Sequence, residues 1–177
     1  ETRTTRSPRH RMGIVAAEMA EVVQALARRR KQGERVVFTN GCFDLLHVGH
    51  LRYLRKAREF GQVLVVGVNS DASVRRLKGP ERPVVGQAER AEMVAALEPV
   101  DFVVVFEEDT PERMIQILRP DVHVKGGDYR MEDLPEAKVV EACGGRVEIV
   151  AAVRGHSTRL MIERIKRGQA AQVTGEG

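Results

Sequence analysis

Five short Val-rich runs, at 36–40, 63–68, 102–106, 122–125 and 147–151, constrain this chain more than any other feature. Most of them are apolar at nearly every position rather than at every second one, which is the pattern of strands covered on both faces. Between and after them come apolar residues at helical spacing, over 49–60, 87–97, 111–118, 135–143 and 157–167. Strand and helix in alternation require crossover connections, which predicts a parallel sheet with helices on both sides. The expected fold is therefore α/β: a Rossmann-like, doubly wound, parallel five-stranded sheet in three layers. Ahead of it, Met19, Val22, Val23 and Leu26 fall at i, i+3, i+4, i+7 and predict a helix over 15–31. Arg28, Arg29, Arg30 and Lys31 would complement its dipole, and Gly33 would stop it.

A length of 177 residues suits one domain with its own core. We expect a basic, disordered tail over 1–14, a single domain over 15–168 and a flexible tail over 169–177. The net charge of +4 is mostly in the first tail, where Arg3, Arg6, Arg9 and Arg11 face only Glu1. The nearly neutral remainder argues against a polyanion partner, and the basic run at 28–31 has no interleaved aromatics. No nucleic-acid partner is expected. Cys42 and Cys143 form neither a CxxC pair nor a disulfide framework, which fits a cytoplasmic location. No apolar stretch reaches the roughly 20 residues needed to span a bilayer, so no membrane association is expected.

The chemistry concentrates in Gly41-Cys42-Phe43-Asp44-Leu45-Leu46-His47-Val48-Gly49-His50, directly after the first Val-rich run. Leu51, Leu54 and Ala57 follow at helical spacing, so the decapeptide reads as the turn from a strand into a helix. Amides at a helix start lack internal partners and carry the positive end of the dipole, which attracts phosphate. Gly49 would let the phosphate approach the backbone. A metal site would need a third ligand that the spacing does not supply, so His47 and His50 are read as phosphate contacts rather than as metal ligands. In a doubly wound sheet, ligands bind beyond the carboxyl ends of the strands where strand order reverses, and these histidines sit at that end. The segment Leu77-Lys78-Gly79-Pro80-Glu81-Arg82-Pro83 reads as a loop long enough to act as a mobile cover. Lys125, at a strand's carboxyl end and followed by Gly126-Gly127, is placed to contact substrate or phosphate.

Thr39-Asn40-Gly41-Cys42-Phe43-Asp44 followed by His47-Val48-Gly49-His50 resembles the signature of the cytidylyltransferase-like nucleotidyltransferase superfamily, and the likeness runs from about Val36 to Ile165. The turn Asn69-Ser70-Asp71, RLKGPERPV at 76–84, VKGGDY at 124–129 and Gly155-His156-Ser157-Thr158 are similar to one branch, the heptose 1-phosphate adenylyltransferases. That resemblance implies attack of a sugar 1-phosphate oxygen on the α-phosphorus of ATP. Alignment and charge stabilisation would carry the step. It implies His47, His50 and Lys78 as catalytic groups. It implies nucleotide binding by Thr39, Asn40, Gly41, Phe43, His47, His50, Arg90, Lys125, Gly126, Ser157 and Thr158, with Arg82 competing for the role of Arg90. Asp44, Asn69, Lys125 and Asp128 are expected on the sugar-phosphate side.

Mg²⁺ is expected through the triphosphate, with no dedicated protein ligands. Cys42 is read as a small buried thiol rather than a nucleophile. Arg159 stands where the family pattern continues with a second Thr, and His156 has no assigned role. The expected partners are ATP, a sugar 1-phosphate and a separate heptose kinase acting upstream, and a homodimer is compatible with enzymes of this type. Two rivals remain open. One is a cytidylyltransferase of the same superfamily acting on glycerol 3-phosphate or another phosphorylated alcohol, and the other is a non-catalytic nucleotide-binding module. A fragment of a class I aminoacyl-tRNA synthetase, which shares the His-x-Gly-His helix start, is disfavoured by the missing lysine-rich second signature.

Overall fold

The computed structural model describes residues 12–127, 129–151, 153 and 155–168. Chain order is β1 (Ile14–Val15), α1 (Met19–Lys31), β2 (Val36–Gly41), α2 (Val48–Arg58), β3 (Val63–Asn69), α3 (Asp71–Lys78) and α4 (Gln87–Ala95). It continues with β4 (Phe102–Phe106), α5 (Glu112–Leu118), β5 (Val122–Gly126), a single 3₁₀ turn, α6 (Ala137–Ala142), β6 (Arg146–Val150) and α7 (Thr158–Lys166). The strands form one sheet in the order β1-β4-β3-β2-β5-β6, and every pairing is parallel. The chain winds outward from β2 through β3 to β4, then returns to the other side of β2 for β5 and β6. The reversal therefore lies between β2 and β5, at whose carboxyl ends a crevice must open.

The all-apolar strands explain the layering. Along β2 and β3, Val36, Phe38, Val63 and Val65 face α1, α5 and α6, where they meet Val22, Leu26, Ile115, Leu118 and Val140. Val37, Leu64, Val66 and Val68 face the other way, toward Leu54 and Ala57 of α2 and Ala91 and Val94 of α4. All seven residues of β3 are buried. Each fully buried Val or Leu contributes roughly 1.5–3 kcal/mol, so the two half-cores together hold the sheet against its chain entropy. Arg30 adds a tie between elements by donating to the carbonyls of Leu118 and Arg119 at the end of α5, each at 2.7 Å.

Two expectations about elements are corrected. The sheet has six strands, not five, because Ile14 and Val15 pair in parallel with Phe102 and Val103 of β4. Ile14, assigned above to the tail, thus belongs to the sheet, and the first helix starts at Met19 rather than at residue 15. A two-residue edge strand is too short to show any period. The second correction is α3, which occupies Asp71–Lys78 where only a turn and then a loop were expected. Ser70 caps it by accepting from the Ser73 amide at 3.2 Å, and Gly79 ends it at φ 102°, a left-handed conformation suited to glycine. Lys78 is therefore the last residue of a helix, with the covering loop running from Gly79 to Gly86. The tails over 1–11 and 169–177 and the candidate Asp128 lie outside the described residues.

Candidate nucleotide-binding site

A cavity of about 1390 Å³ opens at the crevice between β2 and β5. It is lined by the turn after β2, the end of β5, the end of α3 with its loop, and the start of α7. The start of α2 meets the start of α7 there, so unpaired amides from two helices point at one space. His47 immediately precedes α2 in extended backbone, and its amide donates to His50 Nδ1 at 3.3 Å. That bond decides the tautomer of His50. A neutral ring accepting at Nδ1 carries its proton on Nε2, which leaves Nε2–H as the donor for a ligand. The two rings stack with centroids 3.9 Å apart, and Phe43 lies 5.4 Å from His50. Phe43 adopts a left-handed φ of 47°, unusual for a bulky residue, and this turns its ring back over Gly41.

The two glycines of the motif serve the aromatic cluster. A Cβ on Gly41 would stand 3.0 Å from the Phe43 ring, and one on Gly49 would stand 2.8 Å from Nδ1 of His47. Gly49 was read above as clearance for phosphate; the structure shows that it first makes room for the His47 ring. His156, unassigned from sequence, joins the group, with its ring centroid 6.3 Å from that of His47. Burial pushes the His50 pKa down to about 4, with the neighbouring His47 adding to the effect. His47 is lowered too, by burial and then by His156.

These shifts set a pH dependence. The folded rings refuse protons that the unfolded chain accepts below the ordinary histidine value of 6.5, so stability is full above that pH. It should decline as pH falls from 6.5 toward 4. Thermal unfolding followed across this window should show the decline, and His50→Gln should flatten it. A wild-type Tm that is level from pH 6.5 to 5 would contradict the assignment.

Several predicted contacts are placed at the cavity and several are not. His47, His50, Asn40, Gly41, Phe43, Asp44, Asn69, Lys78, Arg82, Lys125, Gly126, Ser157 and Thr158 all line it. Asn40 Oδ1 is buried there without a hydrogen-bond partner among the described residues. Ser157 caps α7 by accepting from Leu160 N at 3.1 Å, and Thr158 Oγ1 donates to the Leu45 carbonyl at 3.3 Å. Arg159 is exposed and pairs with Glu163 within the helix. Lys125 Nζ donates to Glu136 Oε1 at 2.7 Å. The ring of Tyr53 packs against Gly126, where a Cβ would come within 2.9 Å of it.

Thr39 and Arg90 are elsewhere. Thr39 is fully buried, and its Oγ1 shares a 2.5 Å hydrogen bond with the Tyr53 hydroxyl, which in turn donates to the Val124 carbonyl. Its expected role with nucleotide is corrected to a tie between β2, α2 and β5. Arg90 has no exposed surface. Its guanidinium donates to Val85 O at 2.9 Å, Cys42 O at 2.5 Å and Asp71 Oδ1 at 2.8 Å, so its donors face structural partners. It clamps three segments that surround the cavity instead of facing the cavity.

Asp44 and Asn69 line the space, and each makes hydrogen bonds within the chain. The Asp44 carboxylate accepts from Val84 N at 2.8 Å, Val85 N at 2.9 Å and the Arg82 guanidinium, which pins the covering loop. Burial would raise its pKa, yet these hydrogen bonds and the arginine charge outweigh burial and hold it below the ordinary value. Asn69 Nδ2 donates to Ser73 Oγ at 3.0 Å. Cys42 is half-buried at the cavity rather than in the core. Burial pushes its thiol pKa up, against the pull of nearby cations, which keeps it a poor nucleophile. Sequence reasoning missed the loop-pinning role of Asp44, the arginine clamp and His156. Only the last left a signal, an imidazole directly before a helix cap.

Among the described residues no group of three His, Cys, Asp or Glu is arranged to hold a metal ion, and no helix is long and apolar enough to cross a membrane.

Comparison with known proteins agrees with this geometry. The cytidylyltransferase-like family model matches residues 38–170. A bifunctional protein HldE from Geotalea uraniireducens (strain Rf4) is 61% identical over 150 residues, covering 85% of this chain and 30% of that protein. Its counterpart from Geobacter sulfurreducens (strain ATCC 51573 / DSM 12127 / PCA) is 60% identical over 153 residues, covering 86% and 29%. This chain thus spans about 30% of the length of the curated relatives it matches. Among solved structures, the lipopolysaccharide core biosynthesis protein from Thermoplasma volcanium GSS1 is 27% identical with a TM-score of 0.58, covering 70% of this chain and all of that one.

Proposed function

The chain belongs to the cytidylyltransferase-like family, and on that premise we propose that it transfers AMP from ATP to D-glycero-β-D-manno-heptose 1-phosphate, giving ADP-heptose and diphosphate. One observation carries the nucleotidyl-transfer reading: two helix starts, two imidazoles and Lys125 converge on a single cavity at the reversal of strand order. The heptose branch is supported by the ordered segments around Asn69, Lys78, Lys125 and Ser157. The likeness to a protein named for lipopolysaccharide core biosynthesis points the same way.

In this reaction a sugar-phosphate oxygen forms a bond to the α-phosphorus as the bond to the bridging oxygen of diphosphate breaks. No group of the chain needs to become covalently attached. The α2 and α7 amides cradle triphosphate oxygens, and His50 Nε2–H donates to an oxygen whose charge grows as the leaving group departs. Lys78 and Lys125 supply cations at the end of α3 and the end of β5, and Lys78 forms no ion pair among the described residues. A divalent ion such as Mg²⁺, if carried by the triphosphate, would supply further charge neutralisation there without a dedicated set of protein ligands. Asp44 serves the reaction by pinning the covering loop over the cavity. The proposal includes a cytoplasmic location and a heptose kinase upstream.

Because an anion beside His47 favours its charged ring, ATP affinity should strengthen as pH falls toward the lowered pKa of that ring, opposite in sign to the stability of the protein alone. Diphosphate release, measured over a panel of ATP and CTP against heptose 1-phosphate and glycerol 3-phosphate, tests the assignment. Turnover confined to ATP with heptose 1-phosphate is expected. Turnover with CTP and glycerol 3-phosphate instead would transfer the chain to the cytidylyltransferase branch, and nucleotide binding without any turnover would make it a binding module.

A further inference from the structure

One buried acidic group has no part in the mechanism above. Glu136 lies just ahead of α6, in the segment that folds back from the end of β5, and it is 2% exposed. Its side chain makes no capping bond to the helix it precedes, so helix capping does not account for it. Instead Oε1 accepts from Lys125 Nζ at 2.7 Å and faces His123 Nε2 at 3.7 Å. His123 is itself fully buried on β5, stacked on Phe38 with centroids 5.4 Å apart, and neither ring nitrogen has a hydrogen-bond partner among the described residues. Of these three groups only Lys125 reaches the cavity.

A carboxylate withdrawn from water costs several kcal/mol unless it is paired, so a fold retains one where the pairing has a use. Burial would raise the Glu136 pKa, but the contacts with His123 and Lys125 outweigh burial and hold it down to about 2. The group is therefore ionised throughout the neutral range. A lysine side chain has four rotatable bonds and a mobile head, and a fixed anion removes that freedom before a ligand arrives. The ammonium has three donors, and Glu136 uses one of them.

We propose that Glu136, backed by His123, is a positioning residue that holds the Lys125 ammonium at the carboxyl end of β5, with its remaining N–H groups presented to a substrate phosphate in the cavity. This rests on the adenylyltransferase reading for the identity of that phosphate, but not for the coupling between the two side chains.

The test is a double-mutant cycle of Glu136→Gln, Lys125→Met and the pair, read in two ways. In diphosphate release, measured where the variant is folded, Glu136→Gln should raise KM for the sugar phosphate about tenfold, and should add nothing in the Lys125→Met background. In calorimetric titration with inorganic pyrophosphate, the same non-additivity should appear. Additive effects, or wild-type kinetics for Glu136→Gln, would overturn the proposal. Glu136→Asp, which keeps the charge but shortens its reach, covers the case in which the Gln variant does not fold, and an intermediate KM is expected. If the wild type fails to turn over ATP and heptose 1-phosphate, the adenylyltransferase reading falls. The pyrophosphate cycle still decides the positioning role, since independent effects there would refute it.

Discussion

Replacing His50 by Ala should lower the rate of diphosphate release about a hundredfold, and His47→Ala should act in the same direction and on the same scale. Loss of one preorganised donor to a developing anionic oxygen costs on the order of 3 kcal/mol of barrier, which is about a hundredfold in rate. The geometry makes His50 the sharper case. Its Nδ1 is occupied by the His47 amide, so its one proton is committed to Nε2 and cannot be diverted. His47 is held by stacking on His50 and by the empty Cβ position of Gly49. His50→Ala also frees the His47 amide at the start of α2, a small cost that a Tm measurement will separate from the kinetic loss. Near-normal turnover in both folded variants would refute the mechanism and leave the fold untouched.

Arg90→Met should destabilise the protein by roughly 3–5 kcal/mol, the scale for removing one partner of a buried ion pair. For a chain of this size that corresponds to a fall in Tm on the order of 10 °C. The guanidinium holds the Cys42 carbonyl in the motif turn, the Val85 carbonyl at the end of the covering loop and the Asp71 carboxylate at the start of α3. Methionine fills much of the volume but satisfies none of these acceptors, two of which are backbone carbonyls. Activity should fall with stability, because the turn and the loop would lose their common anchor. Denaturant titration beside nucleotide titration separates this from a ligand contact. Unchanged stability with lost nucleotide affinity would return Arg90 to the role the sequence suggested.

The fate of the individual predictions follows the distance over which each residue finds its partners. The Val-rich runs and helical spacings carried the layers, since burial on both faces is written in consecutive residues. The position of His47, Gly49 and His50 at a helix start was legible because their neighbours in sequence are also their neighbours in space, at the cap and first turn of α2. The capping bond of Ser157 is equally local, since it accepts from an amide three residues on. The bonds from Arg90 to the Cys42 carbonyl and from Thr39 to the Tyr53 hydroxyl were not legible, because they join residues 48 and 14 apart, at separations that no local pattern records. The two-residue strand β1 was missed on the same ground, its existence resting on β4, nearly 90 residues further along.

Local chemistry by itself thus determined the α/β class, the strand-to-helix turn that bears the two imidazoles, and the end of the sheet at which the cavity opens. Only tertiary packing decided which polar side chains remain available to that ligand. Asp44 and Arg90, polar residues that the pattern offered to a substrate, are consumed by the protein, and the buried Glu136, on which the pattern was silent, stands behind Lys125. The reason is that hydrogen-bonding capacity belongs to a residue type, whereas its expenditure depends on what the fold brings within 3 Å of it.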